Sequence, residues 1–230
     1  MTQTTTLLFG SIGTLVETSD LQRQAFNQAF KEAGLDWEWD VETYKTLLAK
    51  SGGQQRIADY ADVKVAAVDA AQLHARKTEI FDQNMINDGV KLRPGVADVI
   101  KGAQQAGFRL GFVTTTSRAN IDAIFAGLNG AITQADFDFI GDAEMVENSK
   151  PAPDIYNLAV QTLDVDPQAC VVIEDTAVSM RAAVAAGLRG IAFPGAYADA
   201  DAFDNGSQIE RGTLTLNTVV GPDQQTKPAA

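Results

Sequence analysis

Short apolar runs alternate with stretches of helical periodicity along most of the chain. Leu7–Phe9 is such a run and ends in the small-residue turn Gly10–Thr14. Leu110–Val113, Phe137–Ile140, Cys170–Ile173 and Gly190–Phe193 repeat the pattern, with a helix near Val96–Ala106 ahead of the second run. Runs this short with helices between them predict βα units, and so a parallel sheet covered on both faces. The fold class is α/β.

Leu21–Ile86 carries a different pattern. Ala25, Phe26, Ala29 and Phe30, then Tyr44, Leu47 and Leu48, then Ile57 and Tyr60, then Leu73, Ile80 and Phe81 recur at helical spacing, with no strand signal among them. Gly52–Gly53 predicts a turn between two of these helices, and Asn87-Asp88-Gly89 an exit turn. The reading is an inserted helical bundle over 18–86, with an α/β core made of 1–17 and 87–220. Residues 221–230 are polar, hold two prolines and read as a loose tail.

Composition narrows the partners. Hydrophobic residues make up 45% of 230, enough for a sizeable core, and charged residues 21%, near the globular average. A formal net charge of -12 repels phosphate backbones and argues against nucleic acid. No apolar run reaches the length of a membrane helix, and the start MTQTTTLLFG lacks the features of a signal peptide. The expectation is a cytoplasmic protein with no membrane partner. Cys170 lies in an apolar run and reads as a buried structural thiol. His74 has no second histidine or cysteine near it and reads as structural.

Four strand ends carry candidate chemistry, in chain order: the turn Gly10–Thr14, the hydroxyl cluster Thr114, Thr115, Thr116 and Ser117, then Lys150, then the acidic pair Glu174 and Asp175. Ligands of open α/β sheets gather at the carboxyl ends of strands. Hydroxyls hold phosphate oxygens, a lysine neutralises them, and carboxylates hold magnesium. Taken singly, the acidic pair reads equally as a helix start, and Lys150 as a solvated loop residue. Together they describe a phosphoryl-transfer site without its nucleophile.

These segments resemble the four motifs of the haloacid dehalogenase (HAD) superfamily. Gly34-Leu35-Asp36-Trp37, Ser51-Gly52-Gly53-Gln54-Gln55-Arg56-Ile57, Leu73-His74-Ala75-Arg76-Lys77-Thr78 and Leu92-Arg93-Pro94-Gly95-Val96 make the resemblance closest to its CbbY-type branch, over about residues 5–195. The resemblance implies a Rossmann-like parallel core, a helical cap and hydrolysis of sugar phosphates. It implies phosphate contacts from Thr114, Thr115 and Lys150, substrate contacts from Glu17, Arg56 and Lys77, and metal ligands in Glu174 and Asp175. Glu17 also reads as a helix-start acid, and Arg56 and Lys77 as solvated helix charge.

The first motif departs from the family. Relatives read Asp-x-Asp-Gly-Thr where this chain reads Gly10-Ser11-Ile12-Gly13-Thr14. The first aspartate of relatives attacks phosphorus and the second moves the proton; Gly10 and Ile12 can do neither. Gln22 replaces a frequent histidine, Gln54 a frequent lysine and Ser179 a frequent glycine. With one carboxylate ligand lost, Mg2+ of relatives is expected to bind weakly or not at all, and Lys150 to pair with Asp175 or Glu174. The expected function is a catalytically impaired relative that binds a small phosphorylated metabolite or phosphate. The alternatives are an active phosphatase using Ser11 as nucleophile or Glu17 as base, an altered first motif on an ordinary phosphatase, and a purely structural role.

Overall fold

A computed structural model of the chain describes residues 4–10, 12–48, 52–198, 202–203 and 208–221. Among these, six strands form one parallel sheet: β1 (Thr6–Phe9), β2 (Arg109–Val113), β3 (Phe139–Gly141), β4 (Cys170–Glu174), β5 (Arg189–Ala192) and β6 (Gln208–Ile209), in the spatial order β3-β2-β1-β4-β5-β6. The predicted fold class, an α/β Rossmann-like core, is the observed one.

β1 lies between β2 and β4, with Phe9 facing Phe112 on one side and Ile173 on the other. Side chains alternate across a strand, so Leu7 and Phe9 join one apolar cluster and Leu8 the opposite one. Burial on both faces explains why this strand reads as an uninterrupted apolar run. The chain order reverses between β1 and β4, and such a switch point leaves a crevice outside the strands' carboxyl ends. Gly10 and Glu174 stand at those two ends.

Four of the five predicted strands lie within one residue at each end. The third run is displaced: Phe137 packs in the core cluster ahead of the strand, and Asp138 accepts from the Leu110 amide at 2.9 Å. The two-residue β6 escaped prediction because Gln208–Ile209 has too little apolar pattern to register.

Between β1 and β2 come the one-turn helix α1 (Ile12–Leu15) and helices α2 (Ser19–Glu32), α3 (Val41–Leu47), α4 (Gly53–Lys64), α5 (Ala70–Asp88) and α6 (Val96–Gln105). The Asp40 and Asp69 side chains cap α3 and α5 by accepting from Thr43 N and Gln72 N. Phe26, Phe30, Trp37, Trp39, Tyr44 and Ile57 form a cluster of their own within α2–α4. The other faces of α2 and α5 join the core, through Ala25, Ala29, Ile80, Phe81 and Met85. The rest of the core is covered by α7 (Arg118–Gly127), α8 (Asp154–Leu163), α9 (Ala177–Ala185) and α10 (Leu216–Val220). Of the predicted tail, all but Gly221 lies outside the described residues.

α4 ends at Val65 in the left-handed region, φ 53°, with the side chain 93% exposed. A β-branched residue is costly there, and no burial compensates. Val65→Gly is expected to raise stability by about 0.5–1 kcal/mol, read as a higher urea midpoint at unchanged slope.

Candidate functional site

Lys150 enters the carboxyl end of the sheet from the loop before α8, preceding a cis Lys150–Pro151 bond. Its Nζ donates to the carbonyls of Gly10 and Val113, both at 2.8 Å, and so ties the ends of β1 and β2 together. It also lies 2.6 Å from Glu174 Oε1 and 3.2 Å from Tyr156 Oη. The Tyr156 hydroxyl donates to the same Glu174 oxygen. This ion pair is buried: the Glu174 side chain is 0% exposed and that of Lys150 5%. Burial pushes the Glu174 carboxyl above its ordinary value, with Lys150 opposing the rise and Asp175 adding to it. Burial and the neighbouring Glu174 push the Tyr156 phenol well upward.

Gly10 lets this pair form. A Cβ built on Gly10 would stand 2.0 Å from Glu174 Cδ and 2.1 Å from its Oε1. The carboxylate of β4 thus fills the space where a first-motif side chain would begin. Asp175 folds in a similar way over Gly13, whose Cβ would lie 2.0 Å from Asp175 Oδ2. Thr14 Oγ1 lies 3.5 Å from Asp175 Oδ1. The expected pairing of Lys150 with one of the two acids is met by Glu174.

Thr114 is buried at the end of β2, where its Oγ1 accepts from Thr116 N at 3.3 Å. Thr115 follows it, half-buried. Ser117 caps α7 by accepting from Asn120 N. Asn120 Nδ2 in turn donates to Asp82 on α5, linking the helical segment to the core. Ile12 opens α1 and packs its side chain on the core. Ser11 lies outside the described residues.

A cleft of about 710 Å³ lies between α2–α3 and the ends of β4 and β5, lined by Gly13, Glu17, Gln22, Tyr44, Asp175 and Tyr197 among others. Lys150, Glu174 and Thr114 are not part of this lining. Glu17 holds its mouth, accepting from Ser19 N at 2.9 Å and from Ala196 N at 2.6 Å. It therefore acts as a helix-start acid and also tethers the loop after β5. Arg56 and Lys77 do not reach the cleft wall. Arg56 is buried, donates to Leu47 O at 2.9 Å and faces the Tyr44 ring. Lys77 is 5% exposed, donates to Gln22 Oε1 at 3.1 Å and sits over the Phe26 and Phe81 rings. Gln22, the residue in place of a frequent histidine, is what connects Lys77 to the cleft.

Burial, with Arg56 nearby, lowers the Lys77 ammonium to about 8. Its folded-state value lies below the unfolded one, so between about pH 8 and 10.4 the unfolded chain binds the extra proton. The stabilisation this group offers is present above that window and is lost as pH falls through it. At neutral pH the buried charge costs up to about 3 kcal/mol. Lys77→Met is therefore expected to be more stable than the parent at pH 7, with the difference shrinking toward pH 10. Urea unfolding at both pH values measures it, and a destabilised variant at pH 7 would contradict it.

Two residues of this region were not among the candidate site residues read from the sequence. Tyr156, a buried residue of α8, supplies the second donor to Glu174. Arg93 donates to the carbonyls of Gly13, Phe193 and Pro194, at 2.9, 2.6 and 2.7 Å. A buried arginine needs acceptors, and here the acceptors belong to the first-motif turn and the end of β5.

Magnesium takes six oxygens in a near-octahedral shell. Glu174 is engaged by an ammonium and a phenol, the Gly10 carbonyl by the same ammonium, and residue 10 brings no carboxylate. Among the described residues no group of three or more His, Cys, Asp or Glu side chains converges on one point. Nor is any helix among them long and apolar enough to cross a membrane.

The family model of haloacid dehalogenase-like hydrolases matches residues 5–187. The chain belongs to this family. CbbY of Cereibacter sphaeroides is 40% identical over 97% of this chain and 98% of its own length. The crystal structure of CbbY from Rhodobacter sphaeroides in complex with phosphate matches with a TM-score of 0.79 at 40% identity, over 91% of this chain and 94% of that one. A point variant of that protein in complex with xylulose-(1,5)bisphosphate matches equally well. The resemblance read from the motifs is thus to the right branch, the CbbY type.

Proposed function

We propose that this chain is a CbbY-type sugar-phosphate-binding protein that has lost the covalent step of its relatives. The observation that carries the reading is the Glu174 carboxylate lying where a residue-10 side chain would begin. Residue 10 itself brings no carboxylate to attack phosphorus, and the Glu174 carboxylate, a would-be metal ligand, is turned onto Lys150. Ile12 offers no proton. Loss of such groups in another hydrolase costs about 10⁴- to 10⁶-fold in rate.

The ligand class follows from the relatives, whose CbbY structures hold phosphate and a sugar bisphosphate. In this reading the 18–86 helices act as a cap on a core made of 1–17 and 87–220. A sugar phosphate enters the cleft between them, with Glu17, Gln22 and Tyr44 at its wall. Thr114, Thr115 and Lys150, which lie beyond the lining of that cleft, form the phosphate end. Arg56 and Lys77 support the cap from behind, and Mg2+ is weakly held or dispensable. Thermal unfolding with a panel of phosphorylated sugars, run beside a phosphate-release assay, tests this. A sugar phosphate that raises the melting temperature and stays intact supports it. Robust magnesium-dependent turnover by the parent chain would eliminate it.

A further inference from the structure

Lys150 is already saturated. An ammonium has three protons, and the Gly10 and Val113 carbonyls, Tyr156 Oη and Glu174 Oε1 all lie within 3.2 Å of its Nζ. A phosphate oxygen can reach Nζ only by displacing one of them. The carbonyls are fixed by β1 and β2, and Tyr156 is fully buried in α8. Glu174 is the one anion of the four, and its carboxylate is the far end of a flexible side chain. It reaches Lys150 through space that Gly10 leaves free.

We propose that Glu174 is an internal anion that competes with phosphate for Lys150, so the protein's own carboxylate keeps the phosphate end of the site shut until it is moved aside. This rests on the cleft being a phosphate-ester site and adds what governs its affinity. When only a small fraction of molecules has Lys150 released, apparent affinity falls by that fraction.

Two variants move Glu174 by independent means. Glu174→Gln removes the charge and keeps the shape. Gly10→Ala keeps both charges and inserts a methyl group where the carboxylate lies; Gly10 is not among the positive-φ residues, so the backbone accepts alanine. Titration calorimetry with inorganic phosphate is expected to show at least about tenfold tighter binding to each than to the parent. Adding Lys150→Met to Glu174→Gln should abolish the gain.

Phosphate binding no tighter in Glu174→Gln would overturn the proposal, as would a gain that survives loss of Lys150. Should Glu174→Gln fail to fold, Gly10→Ala decides by the same criterion. Sugar-phosphate hydrolysis by the parent would remove the functional reading beneath it. An absent gain without hydrolysis would remove the competition alone.

Discussion

The double variant Gly10→Asp/Ile12→Asp is expected to hydrolyse a sugar phosphate at least about 10⁴-fold faster than the parent when Mg2+ is supplied. The side chain introduced at position 10 would begin 2.0 Å from Glu174 Cδ, so Glu174 must swing away from Lys150. Two carboxylates then face each other beside Asp175, the oxygen-rich arrangement that a hard dication stabilises and that is repulsive without one. The double variant should accordingly melt lower than the parent in EDTA and respond to magnesium, while the parent changes little. Ile12→Asp alone should restore nothing, because it supplies a proton carrier without a nucleophile and gives up apolar contact at α1. Phosphate release over a sugar-phosphate panel, with and without the metal, measures the gain. An inactive double variant that folds and takes up magnesium would show that losses elsewhere, such as Gln22 or Gln54, also matter.

Lys150→Met is expected to destabilise the fold by about 3–5 kcal/mol, because it strands a buried carboxylate. Glu174 is 0% exposed, and a neutral donor such as the Tyr156 hydroxyl does not cancel its charge. The double variant Lys150→Met/Glu174→Gln should recover most of the loss, since the stranded charge goes with its partner. The sign with pH is fixed by the direction of the Glu174 shift. Its folded-state value is already raised by burial, and losing Lys150 raises it further. A carboxyl raised in the folded state favours folding below its unfolded value and loses that advantage as pH rises through the folded one. The penalty of Lys150→Met should therefore be small near pH 4 and grow toward neutrality. Urea unfolding across that range measures it, and a pH-independent penalty would point to packing instead.

The parts of the fold written in the local pattern were legible. β1, β2 and β4 are buried on both faces, so their apolar runs stand out, and the helices of 18–86 repeat at helical spacing. The gathering of Gly10, Lys150 and Glu174 at the strand ends was legible for a related reason: order along the chain becomes position around the switch point. A pairing of Lys150 with Asp175 or Glu174 follows from the missing first-motif carboxylate, and Glu174 is the partner. What escaped was lateral packing. Nothing in Tyr156 as a residue of α8 foretells that its hydroxyl meets the β4 carboxylate. Arg56 and Lys77 look like helix surface charges in sequence, yet their guanidinium and ammonium turn inward onto aromatic rings, a choice decided by neighbours distant in the chain. Strand β6 is too short and polar to carry a pattern.

Arg93 bears on why such a chain keeps its shape at all. Its guanidinium fastens the turn after β1 through main-chain oxygens of Gly13, Phe193 and Pro194. Those oxygens are present whatever side chains occupy positions 10 and 12. The architecture of the loop and the identity of its reactive groups are therefore separately adjustable, and a hydrolase scaffold anchored in this manner can exchange its chemistry without first having to rebuild its foundations.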